Sequence, residues 1–204
     1  MTFLPVWERT KVRTSRSDAD HGKHAHLISL QLGDKLKGNS MKQIVNLKVN
    51  GVEDEKAVHT HHTLLEVLRS EYKLFGAREG CGIGMCGACT VLLDGQPMSS
   101  CILLAVLAEG KEITTIEGLS DPGKLHPIQQ AFIDHNAFQC SYCTPGFILS
   151  TKSLLAENPD PTVDHVRAYL AGNLCRCGSY YKIQEAVLDA AARLRGEKQN
   201  PPLP

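Results

Sequence analysis

Three cysteines lie within nine residues of the chain, in the glycine-rich stretch EGCGIGMCGACT at positions 79–90. After Cys81, Cys86 and Cys89, eleven residues of strand-like sequence lead to Cys101. Thiolates bind soft metals, so these side chains could hold zinc or an iron–sulfur cluster, or could pair as disulfides. The spacing C-x4-C-x2-C…C favours four thiolates that hold a [2Fe–2S] cluster.

The glycines of the same stretch give a physical reason for this interpretation. Two irons joined by sulfides need thiolates that converge from a tightly curled loop. Glycine tolerates positive φ and lets the backbone come close to a ligand, so amide N–H groups can reach the cluster sulfurs. We therefore expect the backbone of Gly82, Gly84 and Gly87 to surround the cluster.

Residues 82–87 also spell G-x-G-x-x-G, the fingerprint of dinucleotide-binding loops. That motif requires a strand before it and a helix that opens at it. Here the preceding residues look helical, residues 90–93 look like a strand, and a cysteine lies inside the motif. A nucleotide site is therefore disfavoured.

The other four cysteines form the pairs Cys140-x2-Cys143 and Cys175-x-Cys177, each beside a predicted helix boundary. A helix N-terminus presents unpaired N–H groups and positive potential, which stabilise thiolates and a negatively charged cluster. A structural zinc site needs the same four thiolates, although zinc usually pairs C-x2-C with a second C-x2-C. The spacing alone therefore favours an iron–sulfur site only modestly over zinc.

Two hairpins are predicted around the first cysteine group. Asn50-Gly51 and Asp94-Gly95 each separate two strand-like runs, and both positions of the expected type I′ turn need positive φ. Cys101 then lies at the end of the second hairpin, where it can return to the loop. The predicted strands are 43–49, 52–60, 90–93, 96–100 and 111–116.

One helix is predicted between the hairpins. Thr63 and Glu66 form a capping-box signature before an apolar run, and we expect the helix to end near Phe75-Gly76. Two hairpins, one helix and a late strand predict an α+β domain over residues 41–118. This arrangement resembles the β-grasp fold of plant-type ferredoxins.

Beyond the first domain the pattern becomes helical. The predicted helices are 126–133, 144–157, 162–170 and 180–194. In the last of them an apolar stripe runs from Ile183 to Leu194, which indicates a buried face. Four amphipathic helices predict an all-α four-helix bundle over residues 119–196, with 197–204 as a C-terminal tail.

The composition is that of an ordinary globular chain, with 204 residues and 42% hydrophobic content. Lys plus Arg equal Asp plus Glu at 22 each, so no overall charge indicates a nucleic-acid or membrane partner. The sequence shows no export signal and no apolar run that could span a bilayer, so we expect a cytoplasmic protein without membrane insertion. In that reducing compartment clustered cysteines more often bind metal than form disulfides.

Residues 1–40 are polar and irregular, and we expect them to form a flexible N-terminal extension. Seven basic and four acidic side chains give this stretch a net charge of +3. The HGKHAH stretch at 21–26 could bind a metal, but incidental histidines in an exposed tail are the favoured interpretation.

A ferredoxin-type loop followed by C-x2-C and C-x-C resembles one family, the iron–sulfur subunit or N-terminal segment of the molybdenum hydroxylases. This family includes xanthine dehydrogenases, aldehyde oxidoreductases and carbon monoxide dehydrogenases. The resemblance covers about residues 42–195 and accounts for all eight cysteines. The matching stretches are GCGIGMCGACT at 80–90, SSC at 99–101, QCSYCTPG at 139–146 and GNLCRCGSY at 172–180.

The resemblance implies two [2Fe–2S] clusters, one in the β-grasp domain and one in the four-helix domain. The implied ligands are Cys81, Cys86, Cys89 and Cys101 for the first cluster, and Cys140, Cys143, Cys175 and Cys177 for the second. The second cluster is implied to lie nearer a molybdopterin cofactor, with Gln139 and Cys177 approaching the pterin. The first cluster is implied to face flavin or another acceptor.

By the same resemblance the chain is an electron-transfer subunit of an oxidoreductase complex and carries no catalytic residue. Electrons would pass from molybdopterin through both clusters to FAD or another acceptor. The expected partners are a large molybdopterin-binding subunit and a medium FAD-binding subunit, or a cytochrome acceptor. Ile83, Met85 and Phe147 could shield the clusters or could be plain core residues.

Two alternatives of other classes stay open. A free-standing two-cluster ferredoxin would carry the same cysteines and would be stable without larger partners. A zinc-stabilised interaction protein would hold zinc in place of iron and sulfide. Metal and sulfide analysis, together with co-purification of larger chains, separates the three hypotheses.

Overall fold

The computed structural model describes residues 41–121 and 123–197, so the predicted N-terminal extension and the chain after residue 197 lie outside the described residues. The strands are β1 Lys42–Val49, β2 Val52–His59, β3 Thr90–Leu93, β4 Gln96–Ser99 and β5 Glu112–Thr114. β1 and β2 pair antiparallel along their whole length. Asn50 (φ 52°) and Gly51 (φ 80°) both have positive φ, which confirms the predicted turn.

The strands form one mixed sheet in the order β2-β1-β5-β3-β4. β1 and β5 run parallel, and the other neighbours run antiparallel. The second hairpin also has the predicted turn, with φ 51° at Asp94 and 83° at Gly95. β5 is shorter than predicted because the chain bends into a 3₁₀ turn at Ile116–Gly118.

Helix α1, Leu64–Ser70, begins where the sequence predicts. The Glu66 amide donates to the Thr63 hydroxyl at 3.2 Å, and the Thr63 amide donates to the Glu66 carboxylate at 2.7 Å. This reciprocal pair is the predicted capping box, and it satisfies amides that a helix start leaves unpaired.

The predicted end of this helix near residues 75–76 is wrong, since the helix ends at Ser70. Lys73 has a positive φ of 57°, and the Leu74 amide donates back to Leu68 O at 3.0 Å. This closure usually uses glycine, so a lysine in that conformation gave no stop signal in the sequence.

Four more helices follow the sheet, each within one residue of its predicted bounds. They are α2 Pro127–Asp134, α3 Thr144–Glu157, α4 Val163–Tyr169 and α5 Tyr180–Leu194. The apolar stripe of α5 ends earlier than predicted, because Ile183 and Val187 are buried whereas Leu194 is 48% exposed. Among the described residues, every helix falls short of the length and apolar character that a membrane crossing requires.

The buried apolar side chains form two clusters. The sheet cluster packs α1 against β1, β3 and β5 and includes Leu47, Leu68 and Ile113. The helix cluster packs α2 to α5 together and includes Phe132 and Phe147. The fold is therefore α+β, as the sequence predicts. The residue that divides the chain into two domains stays a prediction.

Helix α3 also contacts the sheet region. The Ser153 hydroxyl donates to Gly95 O, in the second hairpin, at 2.9 Å. Near the other end of α3, Gly146 lies so close to Gly87 that an added Cβ would meet the Gly87 carbonyl oxygen. One helix thus touches both the second hairpin and the first cysteine loop.

Candidate metal centres

The first cysteine group lies around an irregular loop between α1 and β3. Gly82, Gly84 and Gly87 have positive φ, of 68°, 77° and 68°. Residues other than glycine rarely adopt this backbone conformation, so the curl of the loop requires glycine. The loop leads into a strand and not into a helix, which is the wrong context for a dinucleotide fingerprint.

Backbone amides point at sulfur in this loop. The Met85 amide donates to Cys81 Sγ at 3.3 Å. Hydrogen bonds from the amides of Ile83, Met85 and Cys86 lower the pKa of the Cys81 thiol to about 6. Such donors stabilise negative charge on sulfur, which is the form that binds iron.

Two cysteines of the first group are buried. Cys89 and Cys101 are 2% and 8% exposed and belong to the sheet cluster. Burial, with a contribution from Cys89, raises the pKa of the Cys101 thiol to about 11. Cys81 interacts with Cys86 and Cys101, so the structure brings together the four cysteines that the sequence assigns to one set.

The second cysteine group lies where α3 and α5 begin. Cys143 is the N-terminal cap residue of α3, and Ser179 is that of α5. The Ser179 amide donates to Cys175 Sγ at 3.4 Å. The start of α5 therefore supplies an N–H group to this group, as the sequence predicts, whereas the Cys143 side chain accepts no capping hydrogen bond at the start of α3.

The four thiols of the second group also interact with one another. The Tyr142 amide, followed by Cys177, lowers the pKa of Cys140. Burial raises the pKa of Cys143 to about 12. Burial opposes the ionisation of Cys175, but the amide bond to its sulfur and the neighbouring Cys143 bring its pKa below the ordinary value.

These donor sets fit iron–sulfur clusters. Beside the second group, the hydroxyls of Thr144 and Ser179 are buried without a hydrogen-bond partner among the described residues. Within residues 41–121 and 123–197, no three ligand-type side chains are placed as a single metal ion would require. A [2Fe–2S] cluster distributes four thiolates over two irons.

The two cysteine groups face each other across one cleft. Its volume is about 400 Å³, and cysteines of both groups line it, namely Cys81, Cys86, Cys140, Cys143 and Cys175. The Leu174 amide donates to Cys86 O at 2.9 Å. Because Leu174 directly precedes Cys175, this bond joins the backbones of the two groups.

Further contacts join the same two loops, and sequence analysis missed them. Asn173 Nδ2 donates to Gly87 O at 3.2 Å, and the Tyr142 hydroxyl donates to Glu79 O at 2.7 Å. The Arg78 guanidinium lies over the Tyr142 ring, 5.4 Å from its centroid. Their only signal in the sequence is a position inside or beside a cysteine motif.

Gln139 lies at the surface, and its Nε2 donates to Cys177 O at 3.3 Å. The structure thus brings together the two residues that are expected near a pterin. Of the three residues expected to shield the clusters, only Phe147 lies in a core, at 1% exposure. Ile83 and Met85 are 65% and 68% exposed beside the first group.

Two adjoining segments of the chain match known domain families. Residues 47–115 match the family described as 2Fe-2S iron-sulfur cluster binding domain, and residues 115–188 match the [2Fe-2S] binding domain family. The aldehyde oxidoreductase iron-sulfur-binding subunit PaoA of Escherichia coli (strain K12) is 45% identical over 166 residues, which cover 74% of this chain and 72% of that protein. The nicotine 6-hydroxylase small subunit of Paenarthrobacter nicotinovorans is 47% identical over 150 residues, which cover 74% and 90%.

The described fold is also similar to a solved structure. The crystal structure of quinoline 2-oxidoreductase from Pseudomonas putida 86 contains a chain that superposes with a TM-score of 0.73 and 44% sequence identity. The match covers 78% of this chain and 100% of that one. At this identity the likeness extends beyond the fold to the sequence itself.

Proposed function

The chain belongs to the iron–sulfur subunits of the molybdenum hydroxylase family, and we propose that it relays electrons from molybdopterin on a partner subunit, through two [2Fe–2S] clusters, to FAD or another acceptor. A [2Fe–2S] cluster supplies one-electron transfer. This chain therefore contributes placement and tuning, while the substrate chemistry lies on the partner.

The proposed ligand sets follow the two cysteine groups. The ligands of the first cluster are Cys81, Cys86, Cys89 and Cys101, and those of the second are Cys140, Cys143, Cys175 and Cys177. The interactions among the thiols of each group and the amide bonds to sulfur support both sets. The backbone of Gly82, Gly84 and Gly87 surrounds the first cluster in this proposal.

One observation carries the relay, namely the hydrogen bond from Leu174 N to Cys86 O at 2.9 Å. It joins a ligand of the first set to the residue before a ligand of the second. Electron transfer by tunnelling weakens steeply with distance, and it is favoured where few covalent and hydrogen bonds separate donor and acceptor. Two loops that share a cleft and a backbone hydrogen bond meet that requirement.

The exposed sides of the two groups support a direction for the relay. Gln139 and Cys177 contact each other at the surface of the second group, and in this proposal they face molybdopterin. Ile83 and Met85 are exposed beside the first group, and that side faces the acceptor. Electrons thus enter at the second cluster and leave from the first.

The proposed partners are a large molybdopterin-binding subunit and a medium FAD-binding subunit, or a cytochrome as acceptor, in the cytoplasm. We further propose a β-grasp ferredoxin domain at 41–118 and a four-helix bundle at 119–196. The names of the similar proteins refer to aldehyde, nicotine and quinoline. Substrate choice in such complexes is therefore assigned to the large partner, and this chain is not expected to select the substrate.

The test is metal analysis of the native complex, purified through a tag on this chain. We expect about four iron and four acid-labile sulfide per chain, and two distinct reduced-cluster signals in electron paramagnetic resonance spectra. We also expect two larger subunits and molybdenum in the same fraction. Stoichiometric zinc in the second group would overturn the proposal. Isolation of a stable two-cluster chain without larger partners would favour the free-standing ferredoxin.

A further inference from the structure

Asn173 lies buried between the two cysteine loops, at 6% exposure. Both ends of its amide are paired. Nδ2 donates to Gly87 O at 3.2 Å, and Oδ1 accepts a hydrogen bond from the Ser150 hydroxyl at 3.0 Å. Ser150 is itself 3% exposed on α3. One side chain therefore ties together the first cysteine loop, α3 and the segment that leads to Cys175.

The neighbouring residue makes a second bond to the same loop, from Leu174 N to Cys86 O at 2.9 Å. We call these two bonds, from residues 173 and 174 to the carbonyls of residues 86 and 87, the loop clasp. The clasp is tightly packed, because a Cβ on Gly87 would meet both the Asn173 side chain and Gly172 O. The two backbone segments that the clasp joins, residues 86–87 and residues 173–174, are therefore held in closely defined positions.

The clasp contains a direct route between the two ligand sets. From Cys86 Sγ the route follows that side chain to its carbonyl, crosses the hydrogen bond to Leu174 and reaches Cys175 through the backbone. Every other link in the route is a covalent bond of fixed length. The electronic coupling along it therefore depends on one hydrogen bond.

We propose that Asn173 is a positioning residue for electron transfer between the two clusters. Its amide holds the backbone at residues 173–174 against the first loop, and so sets the length of the bond between Leu174 and Cys86. The side chain itself carries no charge and binds no iron. This inference rests on the proposed function, since it requires both clusters and a relay between them.

Three variants separate the bonds that Asn173 makes. Asn173→Leu keeps the branched shape and the number of side-chain heavy atoms, although it is larger, and removes both hydrogen bonds of the side chain. Asn173→Asp keeps the acceptor for Ser150 and removes the donor to Gly87 O. Asn158→Ala is the matched control, because Asn158 caps the opposite end of α3, about 20 Å from its start.

The experiment uses the whole complex with its partner subunits, and only preparations with full iron and sulfide content are compared. We expect Asn173→Leu to slow reduction of the first cluster by the second at least about tenfold, since small misplacements at a reacting contact have effects of this size. The magnetic coupling between the reduced clusters should weaken, and hydrogen exchange of the Leu174 amide should accelerate. Asn173→Asp should change the inter-cluster rate, the magnetic coupling and the hydrogen exchange in the same directions as Asn173→Leu. Asn158→Ala should change none of these three quantities.

The outcomes distinguish this inference from the proposed function. If the wild-type complex relays electrons and Asn173→Leu leaves the inter-cluster rate and magnetic coupling unchanged, the positioning role is wrong. A variant that only loses thermal stability or cluster content, with a normal rate in its fully loaded fraction, shows a structural role and also overturns it. If the wild-type complex passes no electrons between the clusters, the proposed function itself fails.

Discussion

The two cysteine groups place the same kind of ligand by different means. In the first group a glycine loop curls so that backbone amides reach Cys81, while Cys89 and Cys101 are buried in the sheet cluster. In the second group the cysteines lie at the starts of α3 and α5, where unpaired amides are already available. One site depends on backbone curvature and the other on helix termini.

This difference predicts different weaknesses. A loop with positive φ at three glycines has little tolerance for an added side chain. A helix terminus is supported by the packing of the whole helix, so a single change near it is spread over many contacts. The four predictions below test or refine this contrast, in order of decreasing effect.

The largest effect is expected from loss of one ligand in each group. Cys86→Ser should abolish the first cluster and leave the second, so the iron content falls from about four to about two per chain. Cys143→Ser should have the reverse effect on the spectra, with the first cluster retained. Iron analysis and electron paramagnetic resonance spectra measure both outcomes.

The same pair of variants tests the direction of the relay. In Cys86→Ser, substrate should still reduce molybdenum and the second cluster, while turnover with the external acceptor is lost. Normal acceptor turnover without the first cluster would refute the proposed order. Loss of both clusters in either variant would show that the two groups fold as one unit, which removes the contrast between them.

Alanine at two glycines separates crowding from backbone strain. Gly87 and Gly178 have φ of 68° and 78°, but only Gly87 has neighbours where a Cβ would lie. Gly87→Ala should lower the free energy of unfolding by about 3 kcal/mol or more, from strain and overpacking together. Gly178→Ala should cost about 1 kcal/mol from strain alone.

Thermal unfolding of the loaded chain, with cluster absorbance as a second readout, measures this pair. Gly87→Ala should lose the first cluster before global unfolding. Equal shifts for the two variants would mean that the helix-end loop is as constrained as the glycine loop, contrary to the comparison.

A smaller effect is expected from a contact that joins the groups. Tyr142→Phe removes the hydroxyl that donates to Glu79 O, while the ring over which Arg78 lies is kept. The loss of one such bond should cost about 1 kcal/mol. Tyr181→Phe is the control, since Tyr181 is 76% exposed. A matching shift in the control variant would contradict the assignment, as would no shift in Tyr142→Phe.

The smallest effect concerns pH and contrasts two phenols. In the sheet region burial, and then Asp54, raise the pKa of Tyr72 to about 12. In the helical region burial also raises the pKa of Tyr169, but its phenol has polar partners: it donates to the Glu157 carboxylate at 3.0 Å and lies 3.0 Å from the Ser153 hydroxyl oxygen. Because the fold favours the neutral form of Tyr72, its contribution to stability is complete below about pH 10. The contribution should fall as the pH rises from about 10 towards about 12.

Denaturant unfolding at several alkaline pH values, compared with Tyr72→Phe, measures this contribution. The variant should lose less stability than the wild type over the same pH range. If the free energy of unfolding fell in parallel with pH for the wild type and Tyr72→Phe, the phenol of Tyr72 would not contribute to the pH dependence of stability.

Local signals in the sequence predicted the local parts of the fold. Asn50-Gly51 determines its turn because both residues accept positive φ, and Thr63 with Glu66 defines a helix start through bonds within four residues. The early end of α1 was missed because Lys73 adopts a conformation that lysine rarely takes.

Contacts between distant segments were beyond the sequence. The spacing of the cysteines predicted the two groups, but not that Leu174 would donate to Cys86 O. That bond depends on how the helical region packs on the sheet region. The sequences around residues 86 and 174 contain no periodic pattern that would predict this packing. Leu194 was missed for the same reason, since burial at the end of a stripe depends on a neighbouring element.

Each cysteine group has a buried side and a more accessible side. Cys89, Cys101 and Cys175 are buried, whereas Cys140 is exposed and the remaining four cysteines, Cys81, Cys86, Cys143 and Cys177, are half-buried. This difference in burial limits the directions from which the clusters could be inserted. Under the proposed function, iron and sulfide have to reach the buried cysteines of a folded chain from these accessible sides. Under the proposed arrangement the molybdenum subunit later covers the side of Cys140. Cluster insertion would then precede assembly of the complex.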